Sequence, residues 1–393
     1  MSLKLALLVT TTFTAGYAHA ADQSQPGAGN ANAHQIASRS RPALAAVRYV
    51  TESAHGLRDP KLRHETLDSL NPNTCVRHRV GLGVEEKKTI LAALVTAGFV
   101  SAADATGWGP GALNGVFPPL FADGGGCPRL PQAFLAAPGS GFHGHHSYPG
   151  GLAPHIAMNT RIAHSLAEHY AETYQDSDGL DRDLIVGAPL WHDWAKPMVF
   201  QWNADGTEFA QLTIAGTGSH HILGLAESIA RGLSPALVAA QASAHTPPTV
   251  GNEAAVAGYI QAAAIIARVN PVSTGYLVLD AKGKARLPAV KHLGDIDLPA
   301  AGQVNLLAEY MVDNLSDSDW VYTESAVGIS EVVLSKLADR YHHTTTDADY
   351  NTCYRNVVLA ELTAERIQFT FQREGLEAVA KLIDGLNHHC GRH

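Results

Sequence analysis

Histidine and aspartate, closely spaced in one stretch, are the residues of this chain with the chemistry to organise a metal ion. Ten of the 21 histidines fall between His143 and His245. Neutral imidazole is the commonest protein metal ligand. Within that window His143-Gly144-His145-His146 leads through Ser147-Tyr148-Pro149-Gly150-Gly151 toward His155. His192-Asp193 stand side by side, His220-His221 open a later segment, and His245 ends the next. Neighbouring side chains on a helix point about 100° apart, so His192 and Asp193 reach one centre only if it lies beside their helix. Asp193 can then bridge two ions, with His155 and His192 on one side and His220 and His245 on the other. Nitrogen and oxygen donors of this kind suit Mn, Fe, Zn or Co and leave positions open to water. His164 and His169 share the window without a motif context and are read as structural.

Helices must carry such a cluster. Pro154 suits a first helical turn, with Ile162, Leu166 and Tyr170 following at helical spacing. Asp181 can cap a helix that runs through Leu184, Ile185 and Ala188 to Trp191-His192-Asp193. Ser219 caps a helix closing at Gly232, Ser234-Pro235 starts one that reaches His245, and Asn252 to Val269 is stopped at Pro271. Trp191 and Trp194 are read as packing residues. Two hairpins interrupt the helices: Met198 to Ile214 around Asn203-Ala204-Asp205-Gly206, and Tyr276 to Leu287 around Ala281-Lys282-Gly283. Gly107 to Gly141, punctuated by Gly and Pro, reads as a long ordered loop that walls a site. The expected fold class is therefore mainly α with two short β-hairpins. The expected segments are a flexible leader (21–40), a helical region with the long loop (41–140) and a metal-binding core (141–275). A hairpin and connection (276–300) and a second helical region (301–393) follow.

The ordered set His155, His192-Asp193, His220 and His245 resembles the HD-domain superfamily of all-helical metal-dependent phosphohydrolases. His146-Ser147-Tyr148-Pro149-Gly150-Gly151-Leu152-Ala153-Pro154-His155 is similar to that family's first metal-histidine segment. Leu190-Trp191-His192-Asp193-Trp194-Ala195-Lys196 resembles its His-Asp core with lysine three residues later. His220-His221-Ile222-Leu223-Gly224 is similar to the opening of the next helix in two-metal members, a register that favours His220 over His221 as ligand. The resemblance covers about residues 143–271 and implies an HD-type helical bundle. It also implies that Asp193 and Lys196 are the catalytic pair, with Lys196 facing a substrate phosphate. His143, His146, Arg161 and Arg268 are further candidates for holding a small anionic substrate. The family usually adds an aspartate from a later helix; here Arg268 stands near that position. Asn270 offers a carbonyl oxygen in its place, and Asp280 lies beyond. The expected activity is hydrolysis of a phosphate ester, diester or nucleotide by metal-activated water. A di-iron oxygenase, with four histidines and two carboxylates, and a binding protein with a degraded site are the alternatives.

Net charge is −9, from 28 basic and 37 acidic residues, which argues against a nucleic-acid platform built on phosphate neutralisation. No segment has the length and apolarity of a membrane span. Lys4, the apolar run from Leu5 and Ala18-His19-Ala20 read as a signal peptide over residues 1–20, which implies a periplasmic or secreted protein. Export would place the four cysteines in an oxidising compartment. Of the three pairings four cysteines allow, Cys75–Cys127 with Cys353–Cys390 staples each flank of the chain; the other two remain open. Asn387-His388-His389-Cys390 is a rival metal site, with no second cysteine nearby.

Overall fold

The computed structural model describes residues 27–107, 111–175 and 179–386. Two of the cap residues read from the sequence, Asp181 and Ser234, set helix starts; Ser219 does not, because Gly218 holds the cap position and Ser219 Oγ is buried with no hydrogen-bond partner. The Asp181 side chain accepts from the amides of Asp183 and Leu184 and opens Arg182–Trp191. Ser234 accepts from Leu237 N and opens Pro235–Ala242, and Ser40 accepts from Ala43 N to open Arg41–His55. These caps satisfy amides that have no partner inside their own helix. Leu152–Tyr174, Ser219–Ala230 and Glu253–Ala267 complete the set read from the sequence.

Among the described residues the fold is mainly α, with two short antiparallel strand pairs. Val278–Leu279 pairs with Ala285–Arg286, inside the expected second hairpin. The first lies elsewhere than expected. Pro197, preset for a helical first turn, helps put Lys196–Val199 into a short helix. The Asn203–Gly206 turn keeps a single bridge, Trp202 to Glu208. The strand pair forms instead between Thr213–Ile214 and Thr217–Gly218. Part of the stretch expected to be a flexible leader is helical. Asn30–Ala37 is a helix, held where Asn30 Nδ2 donates to the Pro131 carbonyl and Asn30 Oδ1 accepts from Trp202 N.

One large apolar core draws on Val50, Leu94, Leu152, Leu190, Leu223, Val238 and Ile260. It continues past residue 275 through Tyr276, Leu287 and Tyr310. Tyr310 belongs to the helix Leu307–Asp317, whose Val312 is buried with Ala163 and Ile185 between two site helices. A second core forms from Trp320–Leu337, Asn356–Leu362, Ala364–Glu374 and Leu376–Asp384, and it takes in Ile36 and Tyr148. Cys75 and Cys127 form a disulfide. Cys390 and its His388-His389 neighbours, like the signal-peptide region, lie outside the described residues. No helix among the described residues is long and apolar enough to cross a membrane.

Candidate metal centre

Proline 189 sits within the last turn of its helix, and its carbonyl accepts from His192 Nδ1 at 2.9 Å. A carbonyl only accepts, so this bond places the proton on Nδ1 and leaves Nε2 free as a donor to a metal. That Nε2 is buried without a hydrogen-bond partner. It lies 3.2 Å from Asp193 Oδ2. His155, from the first full turn of Leu152–Tyr174, brings its own Nε2 within 2.8 Å of the same oxygen. The other oxygen, Asp193 Oδ1, faces His220 Nε2 at 3.3 Å and His245 Nε2 at 4.0 Å. His220 is oriented as His192 is, by a short contact from Nδ1 to Gln211 Oε1 at 2.6 Å.

The final carboxylate comes from Asp317, the last residue of Leu307–Asp317. Its Oδ1 lies 3.3 Å from His155 Nε2 and 3.4 Å from His192 Nε2, and its Oδ2 lies 3.6 Å from His245 Nε2. Two donors about 2.1 Å from one ion and about 90–109° apart stand about 3.0–3.4 Å from each other. Three of the four distances on the His155–His192 side fall in this range and the fourth, 2.8 Å, is shorter; the His245 side is looser. Asp193 Oδ1 and the Nε2 atoms of His192 and His220 are buried with no hydrogen-bond partner, and beside the imidazoles Asp193 Oδ2 has the Lys196 ammonium. Orphaned groups of this number are costly in a folded core, and a cation between them would satisfy all at once. The buried His/Asp groups can therefore hold a metal ion.

Electrostatics fits the geometry. Burial opposes ionisation of Asp193; a protonated His192, itself held well above its ordinary value by Asp193 and Asp317 against burial, and Lys196 overcome it and hold the carboxyl well below its ordinary value. A cation bound at His192 Nε2 would displace that second proton and take over its role. Asp317 is likewise held low, by His192, against the same burial cost. Burial, aided by the Lys196 charge, lowers His155 to about 4. Burial also takes His245 down to about 3. Both imidazoles are thus neutral at pH 7, the form in which they could hold a metal ion. Asp313, one turn before Asp317, is pushed up to about 8 by burial and stays uncharged.

Lys196 is buried in contact with Asp193 Oδ2 and the Gly139 carbonyl. Its Nζ lies 3.4 Å from His145 Nε2. His146 is buried beside them, with Nδ1 3.0 Å from Tyr148 Oη. His221 is turned away from the centre. Its Nε2 donates to the Ala242 carbonyl at 3.2 Å, and its ring stacks on His245 with centroids 4.4 Å apart.

Other residues expected near a substrate are placed elsewhere. Arg268 is exposed, because it ends its helix in the left-handed conformation, φ 61°. Asn270 is exposed too, and its Oδ1 accepts from the amides of Val272 and Ser273. Arg161 stacks on Tyr49, 4.0 Å from the ring centroid. His143 is exposed and pairs with Glu331 at 2.8 Å. Asp280 belongs to its own hairpin, where its backbone amide donates to the Lys284 carbonyl. The residues missed by sequence reasoning are Asp317, Gln211 and Asn159, whose Nδ2 donates to Asp317 Oδ1 at 3.0 Å. Asn314 was also missed; it donates to the Ala244 carbonyl next to His245. No protein-family model, curated protein or solved structure matches the chain.

Proposed function

We propose that the chain is an exported, HD-type hydrolase of a phosphate ester, phosphodiester or nucleotide that works with two divalent ions. One observation carries this reading: the Asp193 carboxylate presents one oxygen to His155 and His192 and the other to His220 and His245. Asp317 repeats that two-sided arrangement. Bound divalent ions would supply Lewis acidity and lower the pKa of a coordinated water toward neutrality. Asp193 and Asp317 would hold both ions, and the four imidazoles would fix their positions. His245, with 23% of its side chain accessible, is the outward edge of the set. Lys196 has three N–H donors; Asp193 and Gly139 engage two, and the third, 3.4 Å from His145 Nε2, would exchange that contact for a substrate phosphate. The Cys75–Cys127 disulfide is consistent with export.

Asp317 also supports a second reading. Four histidines and two carboxylates are the ligands a di-iron oxygenase of this type requires. Asp317 weighs against the reading as a degraded binding protein, whose support was Arg268 standing near the family's aspartate position. The test is a panel of p-nitrophenyl phosphate, bis(p-nitrophenyl) phosphate and nucleotides, run with Mn, Zn or Fe under nitrogen and in air. Hydrolysis without oxygen is expected, with Mn or Zn able to replace Fe. Lys196→Met should lower it about tenfold to a hundredfold, the worth of a charged hydrogen bond of about 1.5–3 kcal/mol. Activity confined to iron with oxygen would favour the oxygenase.

A further inference from the structure

The segment from Gly139 to Gly151 carries three histidines past the metal centre, and a residue of the C-terminal helical unit grips it from behind. Arg355 is buried at the end of the π-helical turn Tyr350–Arg355. Its Nη1 donates to the Ser147 carbonyl at 2.9 Å and its Nη2 to Ser147 Oγ at 3.1 Å. Its Nε donates to Glu331 Oε1 at 3.0 Å, and Glu331 Oε2 lies 2.8 Å from His143 Nδ1. The guanidinium also covers the Phe142 ring, 4.6 Å from its centroid. One cation thus fixes both ends of the Phe142–Ser147 stretch.

From Ser147 the contacts continue inward. The preceding carbonyl, of His146, accepts from Gly139 N at 2.9 Å. The Gly139 carbonyl in turn accepts from Lys196, which contacts Asp193. There is no slack on this side. A Cβ on Gly139 would stand 2.6 Å from His146 Cβ, and one on Gly151 would stand 2.0 Å from the His146 carbonyl oxygen.

We propose that Arg355 is a positioning residue that, through Ser147 and the His146–Gly139 pairing, fixes Lys196 and the histidine segment on the substrate side of the centre. The C-terminal helical unit then controls substrate binding without supplying a metal ligand from beyond Asp317. The proposal rests on the hydrolase reading for what is positioned, but the positioning has its own readout.

The experiment compares the full chain with Arg355→Ala, Arg355→Lys and Glu331→Gln. Amide hydrogen exchange, bound Mn, and KM and kcat on bis(p-nitrophenyl) phosphate are measured. Arg355→Ala should keep its Mn while amides 139–151 exchange at least about tenfold faster and those of Ser219–Ala230 do not. KM should rise more than kcat falls, and added guanidinium ion should restore slow exchange. Lysine should not rescue, because a point charge does not span Ser147 and Glu331 together. Unchanged exchange at 139–151, or equal acceleration throughout the protein, overturns the proposal. If Arg355→Ala fails to fold, Glu331→Gln must show a smaller rise in the same amides; no rise there overturns it equally. Absence of phosphodiester turnover in the wild type would sink the hydrolase reading while the exchange data still decide the positioning.

Discussion

Asp317 sits where a lone aspartate is disfavoured. It closes a helix, and the C-terminal end of a helix carries partial negative charge that repels an anion by about 0.3–1 kcal/mol. It is also buried, yet its carboxyl is held far below the ordinary range by His192 and its neighbours. A site able to hold a cation accounts for an acid kept there against both costs. The two adjacent histidines separate the same way. His220 Nε2 faces Asp193, whereas His221 is committed to Ala242 and to stacking under His245. His220→Ala should therefore lose bound metal. His221→Ala should retain it, but with stability lower by about 1–3 kcal/mol, from one aromatic contact and one hydrogen bond. Metal analysis beside denaturant unfolding of the two variants separates these roles.

At the scale of elements, helices were legible because their caps, prolines and apolar spacing are local. The same holds for the cluster: His192 and Asp193 are adjacent, and His155, His220 and His245 each stand at or near a helix boundary. Asp317 was not legible, because a hairpin and a long connection separate it from the helix where an aspartate was expected. A local clue existed. The buried face of Leu307–Asp317 carries Asp313 and Asp317 among Tyr310 and Val312, and carboxylates on an apolar face need a partner. Arg268 misled because a left-handed helix end turns it outward. The displaced first hairpin leaves Glu208 buried, with both oxygens unpartnered and its carboxyl pushed up to about 8 by burial. Unfolded, Glu208 ionises near its ordinary 4.5. Between that pH and about 8 the unfolded state holds fewer protons than the folded one, so stability falls as pH rises. Glu208→Gln removes this loss. It should be more stable than wild type at pH 8, by on the order of 3 kcal/mol, with little difference at pH 4.5. Thermal melts across that range check the sign.

At the scale of the molecule, two apolar cores meet around one polar centre. The larger core holds the helices that bear the ligands, and the smaller holds Tyr148 and the helices that carry Arg355 and Glu331. On the N-terminal flank, Cys75–Cys127 closes 52 residues. Replacing both cysteines by serine should cost about 4 kcal/mol, the loop entropy restored to the unfolded chain. Metal content should persist, since neither cysteine belongs to the ligand set; calorimetry and metal analysis of the double variant test both points. The central claim is that Asp193 and Asp317 together bind two ions between four histidines. It is tested most directly by the metal-to-protein ratio of wild type, Asp193→Ala, Asp317→Ala and Arg268→Ala after loading with Mn or Fe. Circular dichroism confirms that each variant is folded. The account predicts two ions per chain in the wild type and in Arg268→Ala, and loss of most bound metal in both aspartate variants. A full complement of metal in folded Asp317→Ala, or none in the wild type, would contradict it.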